Sequence, residues 1–578
     1  MKDDCIKNYE KYFIEYLGDI KGDLQSIDYA TLHEEFPMCY LISIESGRLK
    51  DLINDLPKII RIEESYSYTL SMMEEDYYIP GDKFVDFSGG SYTGNGVMVG
   101  VIGDGISYLD KTFEDKYENS RIESLWDQTL DGDESIKEIS KISYGKEFMA
   151  SDIAEAIRLW KQGDDPYTIV NHYSNSNYGT NLCKVIGEEY EAGGYNLDSQ
   201  CKYVIVKLRE MKEINKHINC IEEPIPNIYE TYDVIKALEY LANVKKRTNK
   251  PMVVYLPLET NSGGRNGDSI LERFIDYYSN IKDFIIVTNS GEEGDGYSHN
   301  SGILKFDEDK STVDIIVGKE EQVHVDVKDK EETASFIISI WVNLYDKLVI
   351  KLISPSGEQS GEIETIHRLK VNEYKLQDGN IQVISLPPRL NSSEREILIK
   401  VRDAMNGKWC INIIGRYVLY GSYDIWLPMK KLNRYNIRFK YPCRDKTLTT
   451  PSTCKSVISN MSYSQYEKNI RVLSGRSGLE IGKNHRHIAV DGTGVILKNN
   501  NELIKVGGVA VSGAILTSVV AILLQWAVVE GKKKDILLSD IKTMLIKSTN
   551  IDEYSNYDHI CYGVFNYKKF IELLAEQE

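Results

Sequence analysis

From Val506 to Val529 the chain carries no charged residue, and so long an apolar stretch has to be surrounded, either by lipid or by the rest of a large fold. Its length alone suits a helix that crosses a bilayer. Gly507, Gly508, Ser512, Gly513 and Gln525 lower its apolarity, however, and a small-residue start suits close packing inside a core. The expectation is a buried central helix and no transmembrane segment. Upstream of it lie four short β-branched runs: Val97 to Ile102, Tyr203 to Leu208, Met252 to Leu256 and Phe284 to Val287. Helical patterns such as Val234 to Asn243 separate them, and this alternation predicts an α/β fold, a parallel sheet with helices on both faces.

A chain of 578 residues exceeds what one hydrophobic core serves. Residues 38 to 63 read strand, helix, strand, with Pro57 as the breaker, which makes a small N-terminal α+β unit. From about residue 311 the texture changes to closely spaced strands without helices. These include Val313 to Val317, Val323 to Val327, Phe336 to Val342, Leu348 to Ile353, Ile397 to Val401 and Trp409 to Ile414. Several alternate with period 2, as sandwich strands do. Helical patterns return after about residue 480, so the β region is inserted within the α/β unit. The expected divisions are 1–85, 86–310, 311–478 and 479–578.

The formal net charge of −19 argues against a nucleic-acid partner. Nine cysteines with no C-x-x-C pair signal neither a disulfide framework nor a zinc site. Asp3 and Asp4 precede any apolar stretch, the wrong charge for a secretory leader. Three acidic clusters, Asp131-Gly132-Asp133-Glu134, Glu292-Glu293-Gly294-Asp295 and Asp307-Glu308-Asp309, are oxygen-rich enough for calcium. They read first as solvated loop charge, so no metal ligand is named and no cofactor is expected. His485-Arg486-His487 reads as ordinary surface sequence.

Three local motifs carry the chemistry. The strand Val97 to Ile102 runs into Gly103-Asp104-Gly105-Ile106, Tyr178-Gly179-Thr180-Asn181 opens a helical pattern, and Gly508-Val509-Ala510-Val511-Ser512-Gly513 opens the uncharged run. In this order and setting they resemble the three catalytic motifs of the subtilisin-like serine proteases. The resemblance puts Gly103 at the aspartate position of the catalytic triad, Tyr178 at the histidine and Ala510 at the serine. It also puts Ser290-Gly291-Glu292-Glu293-Gly294 at the oxyanion-hole loop, so that Glu292 replaces an amide donor and would repel the developing oxyanion. Pro257-Leu258-Glu259 falls at the substrate-binding strand, where Pro257 lacks an N–H and Glu259 replaces a glycine.

The triad needs a hydroxyl to attack, an imidazole to move its proton and a carboxylate to hold that imidazole. Gly103 and Ala510 supply nothing of the kind, and a phenol titrating near 10 matches neutral pH poorly. Neighbours do not rebuild it: Asp104 is one residue out of register on an extended segment. Ser512 sits about 200° round the helix from Ala510. His172 reads as a surface histidine. The implied protein is an inactive relative, a pseudoprotease.

Further stretches resemble the clostridial Csp proteases and pseudoproteases of spore germination: Arg121-Ile122, Leu125-Trp126-Asp127-Gln128-Thr129, Thr260-Asn261-Ser262-Gly263, Gly267 to Glu272 and Leu523-Leu524-Gln525-Trp526. That resemblance implies a prodomain at 1–85, retained because the chain has no nucleophile to cut it free, and an inserted jelly roll at 311–478. It further implies a location in the coat or cortex region of a bacterial spore. The expected partners are an active Csp-type protease, the other pseudoprotease of the group and a small germinant such as a bile salt, an amino acid or calcium. Two rivals stand beside it. One is a structural spore component without a ligand. The other is an active proprotein-processing protease, since Ser354-Pro355-Ser356-Gly357 and Gly407-Lys408-Trp409 resemble the sandwich of those convertases.

Overall fold

Every residue of the helix Val509–Leu524 is buried, and the helical run continues through Gln525–Val529. It lies inside the protein, packed against the helix Tyr178–Gly187 and the strands Met252–Leu256, Phe284–Asn289 and Val457–Ser464. This computed structural model describes the chain apart from residues 1–8, 78–91, 132–141, 175, 188–199, 222–223, 319–332, 366–367, 388–391, 434, 479–486, 500–501, 551–560 and 578.

The sheet beneath that helix is mostly parallel. From one edge it runs Thr549–Asn550, Cys561–Phe565, His487–Asp491, Val457–Ser464, Phe284–Asn289, Met252–Leu256, Met98–Gly103, Lys202–Lys207, Ile122–Asp127, Lys146–Met149. Its central pairs are in parallel register, Val99 facing Tyr203 on one side and Val253 on the other. The first and last pairs are antiparallel. Strands buried on both faces have to be apolar throughout, which is why these runs lack alternation. One core on the face of the central helix also takes in Ala150–Gln162 and Leu538–Lys547. A second core lies on the other face under Thr231–Thr248 and Ile270–Ser279.

The insert is a sandwich of a six-stranded and a five-stranded sheet around a core that includes Phe336 and Trp409. Strand pairing moves its limits earlier than 311–478 at both ends. His299–Ile303 pairs with Ser422–Trp426 inside the six-stranded sheet, and Ile437–Phe439 is the last strand of the five-stranded one. Val457–Ser464 then pairs with Phe284–Asn289 and belongs to the parallel sheet. Short apolar strands look alike in sequence, and only the partner distinguishes them. The expected strand Val323 to Val327 and the boundary at 85 lie outside the described residues.

The N-terminal unit is a four-stranded antiparallel sheet in the order Ala30–Glu35, Tyr40–Glu45, Tyr9–Tyr16, Ile59–Glu64. It touches both larger units. Phe36 meets Phe274 of the α/β unit with ring centroids 5.1 Å apart, and Lys400 of the insert reaches Glu64 at 2.8 Å. Ile384 and Leu398 of the insert join its core.

Candidate functional site

After the N-terminal sheet the chain enters the α/β unit as an extended segment. Ser67–Leu70 pairs antiparallel with Ile228–Glu230 on one side and with Leu258–Glu259 on the other, so that it lies as the middle strand of three. Ser71 N–H continues the pattern by donating to Pro257 O at 2.8 Å. Beyond Met72 and Met73 the chain pairs again, Glu74–Tyr77 against Glu502–Gly507.

All three expected triad positions converge on this segment. Gly103 ends the strand Met98–Gly103, and a side chain there would meet Leu70, whose Cδ2 lies 3.8 Å from its would-be Cβ. Tyr178 opens its helix and donates its hydroxyl to Ser71 O at 2.7 Å. Ala510 N–H, in the first turn of the central helix, donates to Met72 O at 3.2 Å. Two glycines permit this approach. Gly179 packs so tightly on the neighbouring turn that a Cβ would lie 2.1 Å from Gly105 O. Gly508 has φ +110, and a Cβ on it would lie 2.7 Å from Met72 O.

Pro257 and Glu259 lie in a strand that is paired by the chain's own segment. Ser71 and Pro257 stand opposite each other as a pair that would exchange two hydrogen bonds. Ser71 N–H donates to Pro257 O, the return bond is missing because proline has no N–H, and Ser71 O accepts from the Tyr178 hydroxyl instead, while Glu259 pairs with Thr69 in register. The side chain of Glu259 is buried, and its Oε1 accepts from Lys431 Nζ at 2.7 Å. Lys431 also reaches Glu292 Oε2 at 2.5 Å and donates to Leu70 O at 2.9 Å. Glu292 Oε1 accepts from Met72 N–H. One lysine of the insert thus joins two buried carboxyls to the segment in the cleft.

Burial, then the charge of Glu259, pushes Glu292 up to about 8, and burial raises Glu259 too. Glu292 is not a bare charge, since its Oε2 is paired with Lys431. Both of its carboxyl oxygens are engaged, with Met72 and with Lys431. The solvated reading of its cluster also fails: Glu292, Glu293 and Asp295 are all buried. Ser298 Oγ donates to Glu293 at 2.6 Å, and Lys430 pairs with Asp295. Asp307 and Glu308 are exposed, as expected, whereas Asp133 and Glu134 lie outside the described residues. Among the described residues no group of three or more His, Cys, Asp or Glu side chains is placed to hold a metal ion.

The neighbours take defined places. Asp104 is buried beside the start of the Tyr178 helix, where its Oδ2 accepts from Ser176 Oγ, and burial raises its pKa. Ser512 Oγ donates to Gly508 O at 3.1 Å, turned back along its own helix. Burial, then Tyr255, Asp104 and the cleft glutamates, push the Tyr178 phenol well above its ordinary value. His172 is not on the surface; it is 1% exposed. Its Nδ1 meets Asp127 Oδ2 at 2.7 Å, and its Nε2 lies 3.1 Å from Ile106 O. Burial works against the Asp127 charge, yet the His172 hydrogen bond holds that carboxyl below the usual range. This is an imidazole and carboxylate pair, but among the described residues no hydrogen bond of His172 goes to a serine, threonine or cysteine. The run Asn171-His172-Tyr173-Ser174 looks solvent-facing because its partner is remote in sequence. His487 is buried as well, bonded to Ser459, since it opens a strand of the central sheet; His485 lies outside the described residues.

No family model matches the chain, and no curated protein matches it. Among solved structures, the CspB protease of Clostridium perfringens superposes with a TM-score of 0.69 at 23% identity, covering 84% of this chain and 96% of that one. The epidermin leader peptide processing serine protease (EpiP) of Staphylococcus aureus aligns over 99% of both chains at 12% identity with a TM-score of 0.46. The fold is that of a subtilisin-like protease: a mostly parallel sheet with helices, an inserted antiparallel β domain and an N-terminal α+β region.

Proposed function

We propose that this chain is a pseudoprotease, which works by binding and not by cutting. Its role would be to sense or relay a germinant signal during spore germination by controlling a Csp-type protease. One observation carries the first half: where a protease presents its imidazole and its hydroxyl to the peptide, the carbonyls of Ser71 and Met72 meet a phenol and the amide of an alanine. Neither Tyr178 nor Ala510 is able to attack a carbonyl at neutral pH. The carboxylate position, Gly103, is covered by Leu70. A cleft filled by the chain's own segment and lacking a nucleophile keeps the N-terminal unit attached.

The second half draws on likeness of fold to the CspB protease and on the sequence stretches shared with its group. In this reading the chain resides in the spore, and its partners are an active Csp-type protease, a companion pseudoprotease and a small germinant. Purified full-length protein tests the first half. No hydrolysis of a peptide library and no labelling by a fluorophosphonate are expected, and inhibitor-sensitive turnover would overturn the reading. Capture of the active protease from spore extract, with delayed germination when the gene is deleted, tests the second. Normal germination without the chain would sink it.

A further inference from the structure

Where the three units meet they leave a cavity of about 80 Å³. At about 10–15 Å³ for each water-sized centre it has room for roughly six non-hydrogen atoms. Its walls come from the edge strand Ile59–Glu64 of the N-terminal sheet, from Thr260 to Ser262 of the α/β unit, and from Ile337, Leu398 and Met429 of the insert. Two neighbours give it mechanical consequence. Ser67, the first residue of the cleft strand, lines it, and so do Met429 and Leu432, which flank Lys430 and Lys431. An occupant therefore touches both the strand in the cleft and the turn whose lysine holds that strand.

The charges around the cavity select a class of occupant. Glu63, Glu64 and Glu396 outnumber Arg61 and Arg395 among the lining residues. Arg61 is already paired with Glu63 at 2.6 Å and with Asp268 at 3.4 Å, and Lys400 is paired with Glu64. Arg395 directs both Nη atoms at backbone carbonyls of Asn343, Leu344, Thr365 and Asp346. An entering anion would meet more carboxyls than cations, at a desolvated site where like charge is costly. Hydroxyls and amides of Thr260, Asn261, Ser262 and Ser339 line it beside the aliphatic walls.

We propose that this junction cavity is a ligand site for a small, mainly apolar molecule bearing a hydroxyl or an amine and no acid group, and that its occupancy is felt at the cleft strand. Its use as a sensor rests on the binding role proposed above; the site itself does not.

The full-length chain is tested with cyclopentanol, cyclopentylamine and cyclopropanecarboxylate, which are matched in their number of non-hydrogen atoms and fit the cavity, by saturation-transfer NMR, and with hydrogen exchange of residues 67–72. The expected result is saturable binding of the alcohol or the amine, at least tenfold tighter than the carboxylate, with slowed exchange in that segment. Ile337→Phe and Leu398→Phe, at half-buried positions on the cavity wall, should each weaken binding at least tenfold. The proposal is overturned if neither the alcohol nor the amine binds, if the carboxylate binds as well, if both folded variants bind unchanged, or if exchange at 67–72 does not respond. Peptide hydrolysis by the same preparation would contradict the pseudoprotease reading and leave this site standing.

Discussion

Lys431 is the residue on which the cleft depends most. Although burial opposes it, Glu259 and Glu292 hold its ammonium above the ordinary value. Removing one partner of a buried ionic cluster leaves the others uncompensated, so Lys431→Met should cost about 3 kcal/mol, read as a lower denaturant midpoint. Glu292 gives a pH signature. Its folded pKa of about 8 lies above the unfolded value near 4.5, so the folded state binds extra protons in that window. Its stabilising contribution is complete below about pH 4.5 and is lost as pH rises through about 8. Glu293, pushed by burial up to about 7, adds in the same sense. Glu292→Gln should therefore flatten the fall in denaturant midpoint between about pH 5 and 8, the range set by that shift. An unchanged slope would refute the assignment. None of this was legible in the sequence, because an acidic loop looks solvated until the remote lysine that buries it is known. His172 was misread for the same reason, its partner Asp127 lying on another strand.

Among the elements, those fixed by local pattern were readable and those fixed by partners were not. The uncharged run could only be enclosed, and the β-branched runs became the middle of the parallel sheet. Tyr9–Tyr16 and Ala30–Glu35 escaped notice because charged residues dilute their apolar positions, Lys11 and Glu15 in the first and His33 and Glu34 in the second. The strand Ser67–Leu70 is only four residues long and half polar, and it exists only because the cleft offers an edge on each side. That segment leans on Gly508. Gly508→Ala would place a methyl against Met72 O at a positive φ, a strain of about 1–3 kcal/mol. Limited proteolysis should then cut first within residues 71–77, while the central helix stays protected. First cuts in the insert instead would show that the segment is not held through this turn.

For the whole molecule, the N-terminal unit is a structural partner of both larger units. It contributes the cleft strand, the Phe36 contact and the Glu64 to Lys400 pair. Deleting residues 1–77 should expose the cleft and lower the melting temperature, or leave the protein insoluble; an unchanged melting temperature would mean that the unit merely rests on the surface. The three-part architecture and the convergence of Gly103, Tyr178 and Ala510 were legible from motif order. The limits of the insert and the occupant of the cleft required the pairing of strands. The most direct test of the central claim is the intact mass of the purified full-length chain after treatment with a fluorophosphonate. A single unlabelled polypeptide of 66.0 kDa is predicted. A serine adduct, or a free N-terminal fragment ending near Ser71 to Met73 whose release the inhibitor blocks, would contradict it.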